Sequence, residues 1–321
     1  MKGKVVLIAV LVMLGIPWLF CRILACFAFT ESEPETIIEE PITESTQRQN
    51  EDKQEYQIPV LMGQTETVVM PLEAYLEGVL FGEMPAGFQL EALKAQAVVA
   101  RTYTIKRHSQ SPKHEDGAIC TDSFCCQAYS DPSLYPSELR DKIHRAVSET
   151  QGLVVTYQGD LIDATYFSCS GGQTEAAVAV WGTDVPYLQS VESPGEEYAS
   201  VYADTVTYSL ADFERMLSVD LEGPPEGWFT EITYTPGGGI DRMKIGGREF
   251  SGTQLRSFLN LRSTVFVLTA QGESVTITTR GYGHRVGMSQ YGAEAMAQTG
   301  SDYQEILAHY YPGTTVESRR G

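Results

Sequence analysis

Residues 71–103 read PLEAYLEGVLFGEMPAGFQLEALKAQAVVARTY, and the spacing of their apolar residues predicts two successive helices. From Leu72 to Leu80 the apolar side chains recur three and four residues apart, which places them on one buried helix face. Pro71 occupies a position where helices commonly begin, and Pro85 prevents the first helix from continuing. The second helix is rich in alanine. Because small side chains permit close packing, we predict that it lies at the centre of the fold.

Outward from these helices, the chain mixes helical patterns with β-hairpin patterns. A third helix is predicted near 137–150, with Gly152 at its end. Three later stretches read as paired strands joined by glycine-containing turns: 153–167, 229–245 and 265–279. Helices and hairpins in mixed order predict a single α+β domain over residues 58–321. Residues 201–275 are predicted to form a subdomain inserted between two halves of its core.

The N-terminus has the pattern of a membrane anchor. Lys2 and Lys4 precede the seventeen uncharged residues 5–21, and the apolar run resumes after one arginine. This run is longer than the apolar region of a cleaved signal peptide and long enough to span a bilayer. The basic residues ahead of it predict that 1–29 is a cytoplasmic stub and transmembrane helix, with the bulk of the chain outside the cell membrane. Lipidation at Cys26 is the alternative.

An acidic segment, residues 30–57, follows the predicted anchor. Residues 30–56 contain nine acidic and two basic side chains, and their one aromatic residue is Tyr56. Such a composition cannot build a core, so we predict an extended extracytoplasmic linker. The whole chain has a formal net charge of −19. This charge argues against nucleic-acid binding, which requires a basic surface to replace the counterions of the phosphates.

Glu83 is the first candidate for chemistry. It stands at the end of the first predicted helix, where the helix dipole disfavours a negative charge. Phe81 and Met84 beside it would add desolvation in the same direction. A carboxyl group that stays protonated can act as a general acid. A solvated surface glutamate is the alternative.

Two glycine-rich stretches are further candidates for binding. FSCSGGQT at 167–174 places two glycines among hydroxyl groups, where a ligand could approach the backbone closely. GYGHRVGMSQYGA at 281–293 gathers one histidine, one glutamine and tyrosines between glycines. Neither stretch contains a nucleophile elbow or a clean dinucleotide fingerprint. A plain turn and a loop with a structural histidine are the alternatives.

Residues 114–129, HEDGAICTDSFCCQAY, concentrate one histidine and three cysteines. The spacing matches neither a zinc protease helix nor a paired zinc ribbon. His114, Cys120 and Cys126 could supply three ligands to a zinc ion. A disulfide is the alternative, because the predicted compartment is oxidising. The spacing alone leaves both readings open.

Together these motifs resemble one known family. Five of them occur in the order of the stage II sporulation protein D family: MPLEAYLEGVLFGEMP, LEALKAQAVVARTY, ICTDSFCCQAY, SGGQT and GYGHRVGMSQYGAEAMA. The resemblance covers nearly all of residues 68–316. It implies a lytic transglycosylase of peptidoglycan in which Glu83 is the catalytic acid.

The resemblance also implies the other site residues. The implied substrate-binding residues are Arg101, Tyr166, Ser170, Gly171, Gly172, His284, Gln290 and Tyr291. A zinc site known in some members maps onto His114, Cys120 and Cys126, so the resemblance favours structural zinc over a disulfide. The chain departs from the family pattern at three positions: Cys125, where the family often has histidine, Cys169, where threonine or serine is common, and Arg285, where glycine is usual. Cys125 could be a further ligand, and Arg285 could contact a carboxylate-bearing sugar.

The implied reaction needs one acid and no second carboxylate. The enzyme protonates the glycosidic oxygen between N-acetylmuramic acid and N-acetylglucosamine, and the muramic C6 hydroxyl attacks its own C1 to give a 1,6-anhydro end. Intramolecular attack avoids the entropy cost of recruiting water. By resemblance, the substrate is peptide-stripped glycan, and the partners are a cell-wall amidase and a membrane anchor of the engulfment complex in sporulation.

Three alternatives stay open at this point. The chain could be a glycan-binding enhancer of a cell-wall amidase without catalysis, and such a protein would tolerate the loss of Glu83. It could be a zinc hydrolase of the peptide stems, which would require a metal with an open coordination position. It could also be a purely structural wall anchor.

Overall fold

The computed structural model describes residues 55–63 and 66–319, which belong to one compact unit. The predicted anchor at 1–29 lies outside the described residues, as does nearly all of the predicted linker at 30–57. Within the described ranges, none of the helices combines the length and the apolar character needed to cross a membrane.

The described residues form a mixture of helices and small sheets. The helices are α1 (Leu72–Glu83), α2 (Leu90–Ser109), α3 (Ser137–Ser148), α4 (Ala177–Trp181), α5 (Leu210–Leu217), α6 (Gly252–Phe258), α7 (Gln290–Gln298) and α8 (Tyr303–Tyr310). The strands are β1 (Gln57–Met62), β2 (Glu66–Pro71), β3 (Ile119–Cys120), β4 (Leu153–Tyr157), β5 (Asp160–Leu161), β6 (Tyr166–Phe167), β7 (Ala203–Ser209), β8 (Phe229–Tyr234), β9 (Ile240–Ile245), β10 (Arg248–Ser251), β11 (Val265–Gln271), β12 (Ser274–Arg280), β13 (Met288–Ser289) and β14 (Thr315–Ser318). The predicted α+β class is confirmed for these residues.

Helix α2 lies at the centre of the fold, as its alanine content predicted. One face, which includes Leu93 and Ala97, packs in a hydrophobic cluster with α1, α3 and β1. The opposite face, which includes Ala95 and Val99, packs in a second cluster with β4, α7 and α8. Because both faces are buried, the side chains of α2 must be small enough for neighbouring helices to approach it.

A third hydrophobic cluster is built from strands β7 to β12 with α5 and α6. Its strands form two antiparallel sheets, in the orders β11-β12-β7 and β10-β9-β8. Phe213, Met243 and Phe250 are buried members of this cluster. The bounds of an inserted subdomain at 201–275 stay a prediction.

The predicted hairpin at 153–167 is wrong in its second half. Strands β4 and β5 form a hairpin whose turn is Gln158–Gly159, both with positive φ. Residues Tyr166 and Phe167 leave that hairpin and pair in parallel with Met288 and Ser289. A pairing partner more than a hundred residues away leaves no local pattern. The pairing brings the glycine-rich loop of residues 281–287 next to Tyr166.

Candidate active site

The Glu83 carboxyl group lies at the C-terminal end of α1, where the chain turns into an extended Met84 and then Pro85. Its Oε1 accepts a hydrogen bond from the backbone N–H of Ala128 at 2.6 Å. Burial raises the pKa of Glu83, while hydrogen bonds from Ala128 and from the Tyr166 hydroxyl oppose that rise. The net effect favours the protonated form of a carboxyl group that two donors hold in place.

Two glycines on α1 explain how Ala128 reaches Glu83. A Cβ atom at Gly78 would meet the ring of Tyr129 at 2.1 Å, and one at Gly82 would meet the backbone of Ala128 at 2.6 Å. Ser130 N–H also donates to the carbonyl of Gly78 at 2.9 Å. The spacing of four residues places both glycines on one helix face, so they form a channel for the segment 128–130.

A buried hydrogen-bond chain sets the direction of the Tyr166 hydroxyl. Gln127 is fully buried, and its Oε1 accepts from the Thr104 hydroxyl at 2.7 Å. Its Nε2 donates to the Tyr166 hydroxyl oxygen at 3.1 Å. Tyr166 thus receives a hydrogen from Gln127 and directs its own hydrogen toward Glu83. Burial, and then the nearby charge of Glu83, raise the pKa of Tyr166 well above its usual value, so the phenol stays a donor.

His284 occupies the loop that the β6–β13 pairing brings close to Tyr166. Its Nδ1 accepts from Val286 N–H at 3.1 Å, and a hydrogen bond links its ring to the backbone of Tyr166. The ring packs against Phe167 and Trp181, with centroids 5.6 and 5.4 Å away. Burial, with the charge of Arg256, lowers the pKa of His284 to about 4. The imidazole is therefore neutral near pH 7 and serves as a packing and hydrogen-bonding group.

The glycine pair of residues 171–172 is held by a buried carboxylate that the sequence did not single out. Glu196 Oε2 accepts from Ser170 N–H and Gly171 N–H, each at 2.9 Å, and from the Ser170 hydroxyl at 2.7 Å. Its other oxygen accepts from the hydroxyls of Ser193 and Ser289. The spacing of residues in the sequence could not predict this role of Glu196, because its hydrogen-bond donors come from three separate segments of the chain.

Gln290 and Tyr291 begin helix α7, beside the loop that follows Glu83. The Tyr291 ring lies edge-on to Phe88, with centroids 5.0 Å apart. Gln290 is 5% exposed, and its Nε2 finds no hydrogen-bond partner among the described residues. The structure thus brings the loop of residues 84–89, β6 and the start of α7 together near Tyr166 and Glu83.

Arg101 lies elsewhere, in a buried ion pair. Its guanidinium forms two hydrogen bonds to the Glu73 carboxylate, at 2.9 and 2.6 Å, and also donates to the carbonyls of Leu153 and Val147. The side chain is fully buried. These contacts join α1, α2, α3 and β4, so Arg101 has a structural role. The implied sugar contact of Arg101 stays a prediction.

Arg285 also points inward. It has a φ of 67°, in the region that glycine adopts freely. Its guanidinium pairs with Glu175 at 3.2 Å and donates to the carbonyls of Ser170, Gln173 and Gly237. Arg285 therefore joins the β8–β9 turn to the loop of Ser170, and its buried guanidinium does not face a solvent-exposed sugar.

The His/Cys stretch forms a compact cluster of four ligand atoms. Atoms of His114, Cys120, Cys125 and Cys126 all lie within 4.8 Å of one another. The Cys125 Sγ is 3.4 Å from His114 Nε2 and 4.0 Å from Cys126 Sγ. The four cysteines among the described residues are all free thiols. The cluster could hold a metal ion, and one histidine with three thiolates suits tetrahedral zinc.

The sequence is also similar to known proteins. Residues 62–157 match the family described as SpoIID, stage II sporulation protein. Stage II sporulation protein D of Bacillus subtilis is 39% identical over 271 residues, covering 81% of this chain and 78% of that protein. The protein of the same name from Bacillus amyloliquefaciens is 39% identical over 258 residues, covering 77% and 74%.

The chain belongs to the stage II sporulation protein D family. The amidase enhancer of Bacillus subtilis is a further relative, 32% identical over 301 residues, and the match covers 76% of this chain but 40% of that longer protein. The matched family segment includes Glu83, Arg101 and the whole His/Cys cluster.

Most of the predicted site residues share one region of the fold. Tyr166 links Glu83 and His284 through hydrogen bonds, and Tyr291 packs against Phe88 in the loop that follows Glu83. The backbone of Tyr291 also donates to Ser168, three residues before Gly171. Sequence reasoning missed Gln127 and Ala128, which hold Tyr166 and Glu83. A signal existed for both residues, because they directly follow the last cysteine of the His/Cys cluster.

Proposed function

We propose that this chain is a membrane-anchored lytic transglycosylase that cleaves peptide-stripped peptidoglycan strands during sporulation. The supporting observation is the Glu83 carboxyl group, whose pKa burial raises while Ala128 and Tyr166 orient it. A proton donor of this kind is what glycosidic bond cleavage requires. Family membership supports the sporulation context.

The proposed reaction proceeds with Glu83 as acid and then as base. Glu83 gives its proton to the glycosidic oxygen, and the electron pair of the bond between muramic C1 and that oxygen leaves with the oxygen. The C6 hydroxyl of the same muramic residue forms the new bond to C1, and its proton returns to Glu83. No water is consumed, and the product is a 1,6-anhydro-muramic end.

Other buried carboxylates support a mechanism with a single acid. The buried acidic side chains of the described residues are Glu175, Glu196 and Glu294. Glu175 pairs with Arg285, and Glu196 holds the Ser170 loop. Glu294 accepts from Gln89 N–H at 2.6 Å. These three carboxylates serve structural contacts, whereas Glu83 has a pKa that burial raises and is the candidate for proton transfer. Hydrolysis with two carboxylates would need a second such group.

The proposal includes zinc as a structural ion. His114, Cys120, Cys125 and Cys126 would hold it, and four protein ligands leave no open coordination position. The ion would tie the segment 114–126 together, and that segment leads directly into Gln127 and Ala128. The proposed location is outside the cell membrane, with residues 1–29 as a single-pass anchor and the engulfment amidase as a partner.

The first prediction concerns Glu83. Incubation of the purified full-length chain with peptide-free glycan strands should release products ending in 1,6-anhydro-muramic acid, as measured by mass spectrometry. Glu83→Gln keeps the side-chain shape but removes the proton, so kcat should fall at least ~100-fold. The rate of the unaltered chain should fall as pH rises through the raised pKa of Glu83.

Glu77→Gln is the matched control, because Glu77 lies on the same helix and pairs with the exposed His144. It should leave the rate unchanged. Products heavier by one water would contradict a transglycosylase and indicate a hydrolase. Full cleavage by Glu83→Gln would contradict the assignment of the acid.

The amidase-enhancer relative supports a second candidate function. The chain would then bind glycan and stimulate an amidase without cutting the strand. Glycan binding without any product, together with stimulation of a purified cell-wall amidase by both the native chain and Glu83→Gln, would favour this second function.

A further inference from the structure

Trp181 presents an exposed aromatic surface beside His284. The residue ends α4 and is 47% exposed, although tryptophan is mostly buried in folded proteins. Gly182, with a φ of 76°, terminates the helix directly after it. The indole lies 5.4 Å from the His284 ring, whose other neighbour is the buried Phe167. The Trp181 indole therefore packs against His284 on one side, and the rest of its surface is exposed to solvent.

This surface connects to the proposed acid through two residues. His284 is hydrogen-bonded to the backbone of Tyr166, and the Tyr166 hydroxyl is hydrogen-bonded to Glu83. Tyr282, in the same loop as His284, is 45% exposed. Flat apolar rings of this kind stack against the faces of sugar rings and combine a large contact area with little loss of conformational freedom. Two such rings border one loop of the candidate site.

Arg256 brings a positive charge to the same place. Helix α6, which carries it, is followed by a loop whose Arg262 carbonyl accepts from Gly283 N–H at 3.0 Å. Arg262 lies 5.5 Å over the Tyr282 ring and pairs with Asp204. Arg256 forms no ion pair with a described residue, and its guanidinium donates to the carbonyl of Leu261 at 3.4 Å. This hydrogen bond places the guanidinium beside the loop that contacts Gly283, and the charge of Arg256 contributes to lowering the pKa of His284.

A partly buried guanidinium without a carboxylate partner is unexpected in a chain with a net charge of −19. Such a group offers a strong, charge-assisted contact to an incoming anion. Of the two sugars in peptidoglycan, muramic acid carries a lactyl group. Its carboxylate is free only after the stem peptide has been removed. The position of Arg256 thus matches the chemistry that distinguishes stripped strands from peptide-bearing ones.

We propose that Trp181 is the stacking platform of a sugar subsite next to Tyr166, and that Arg256 binds the free lactyl carboxylate of a muramic acid in that subsite. This inference rests on the proposed function for the identity of its ligand. It assigns the selection of peptide-stripped strands to one side chain, Arg256, and general affinity for sugar rings to another, Trp181.

The test measures binding rather than cleavage. The full-length chain with Glu83→Gln is titrated by calorimetry with two probes: peptide-free glycan strands, which carry lactyl carboxylates, and chitin oligosaccharides, which have the same linkage without them. Trp181→Ala should weaken binding of both probes about tenfold, and Trp181→Phe should retain most of the affinity. Arg256→Gln should weaken binding of the peptide-free glycan about tenfold and leave chitin binding unchanged.

Arg215→Gln is the matched control, because Arg215 is an exposed arginine on α5 that pairs with Asp212, and it should change neither affinity. Equal affinities for Trp181→Ala and the parent would overturn the platform. Loss of both probes in Arg256→Gln, or of neither, would overturn the carboxylate contact. Because every variant in this test carries Glu83→Gln, the binding results do not depend on cleavage. If binding behaved as predicted while the unaltered chain released no product from peptide-free glycan, the transglycosylase would be rejected and the subsite kept.

Discussion

At the scale of single residues, two glutamates show how environment decides the role of a carboxyl group. Glu196 is fully buried, and at least five groups donate hydrogen bonds to its two oxygens. Glu83 is held by Ala128 and Tyr166, and burial prevails in raising its pKa. Glu196 therefore anchors a loop, whereas Glu83 is suited to donate a proton.

His284 supports a prediction about acid stability. Its pKa of about 4 in the folded chain lies below the ordinary value of 6.5, so the unfolded chain binds more protons between these pH values. The free energy of unfolding should fall as pH decreases from about 6.5 to about 4, by about 3 kcal/mol from this residue. His284→Asn should remove that part of the pH dependence. Denaturant unfolding at pH 7 and at pH 4 measures it.

His144→Asn is the control, because His144 is 69% exposed. Its free energy of unfolding should depend on pH as in the unaltered chain. If His284→Asn also kept the full pH dependence, the buried imidazole would be eliminated as its cause. The change in slope is the readout, so an overall loss of stability in His284→Asn does not affect the test.

At the scale of elements, α1 positions the candidate acid through its two small residues. Glycine is a poor helix former, and an exposed Gly→Ala change in a helix ordinarily stabilises it by about 1 kcal/mol. Here Gly78 and Gly82 face the segment 128–130, which lies too close for a Cβ atom. The two glycines thus lower the intrinsic stability of the helix, but they permit the contact between Ala128 and Glu83.

Gly82→Ala should lower the free energy of unfolding, although the same substitution in an exposed helix ordinarily raises it. The new methyl group would lie 2.6 Å from backbone atoms of Ala128 and Tyr129, which cannot rotate away. We expect a loss of about 1–3 kcal/mol in the free energy of unfolding, together with slower glycan cleavage, because the segment that donates to Glu83 must move. Thermal unfolding and the anhydro-product assay measure the two effects.

Gly87→Ala provides the comparison, since a Cβ atom at Gly87 meets nothing within 4 Å and its φ is not positive. That variant should unfold within about 0.5 kcal/mol of the unaltered chain. Equal stability of Gly82→Ala and Gly87→Ala would show that the segment 128–130 adapts easily, and the proposed role of the glycine channel would be withdrawn.

At the scale of the whole molecule, buried polar contacts join its hydrophobic clusters. Arg285 and Glu175 connect the β8–β9 turn to the loop that carries Ser170, with Thr235 donating to Glu175 at 2.5 Å. Arg101 and Glu73 connect four elements around α2. These ion pairs are costly to break, because removal of one partner leaves a buried charge without compensation. They fix the loops on which the candidate site is built.

Metal binding should add to the stability of this assembly. The purified full-length chain should contain about one zinc ion, as measured by elemental analysis, and removal of zinc by a chelator should lower the unfolding temperature. A ligand that binds only the folded state at a hundred times its Kd stabilises it by about 2.7 kcal/mol. Cys125→Ser should reduce the zinc content, because it removes one of four ligands.

Cys169→Ser is the matched control, because Cys169 is buried outside the cluster and serine can keep the hydrogen bond to Glu196. It should retain zinc. A full-length chain prepared under reducing conditions with zinc present, yet free of metal, would reject the zinc site and favour free thiols or a disulfide.

Local sequence patterns were sufficient to predict the helices around the site and the order of its motifs. The apolar stripe of 72–80, the alanine content of α2 and the proline after Glu83 are local patterns, and local patterns decide where helices begin and end. The clustering of His114 with three cysteines was also visible, since those ligands lie within thirteen residues.

The contacts between the functional groups could not be predicted from such patterns, because they join segments far apart in the chain. The parallel pairing of Tyr166–Phe167 with Met288–Ser289, the approach of Ala128 to Glu83, and the inward direction of Arg101 and Arg285 depend on contacts between distant segments. The physical reason is that burial and hydrogen-bond satisfaction are properties of the packed chain. Periodicity shows which face of an element is apolar, whereas the partner of a buried carboxyl or guanidinium group emerges when the elements pack.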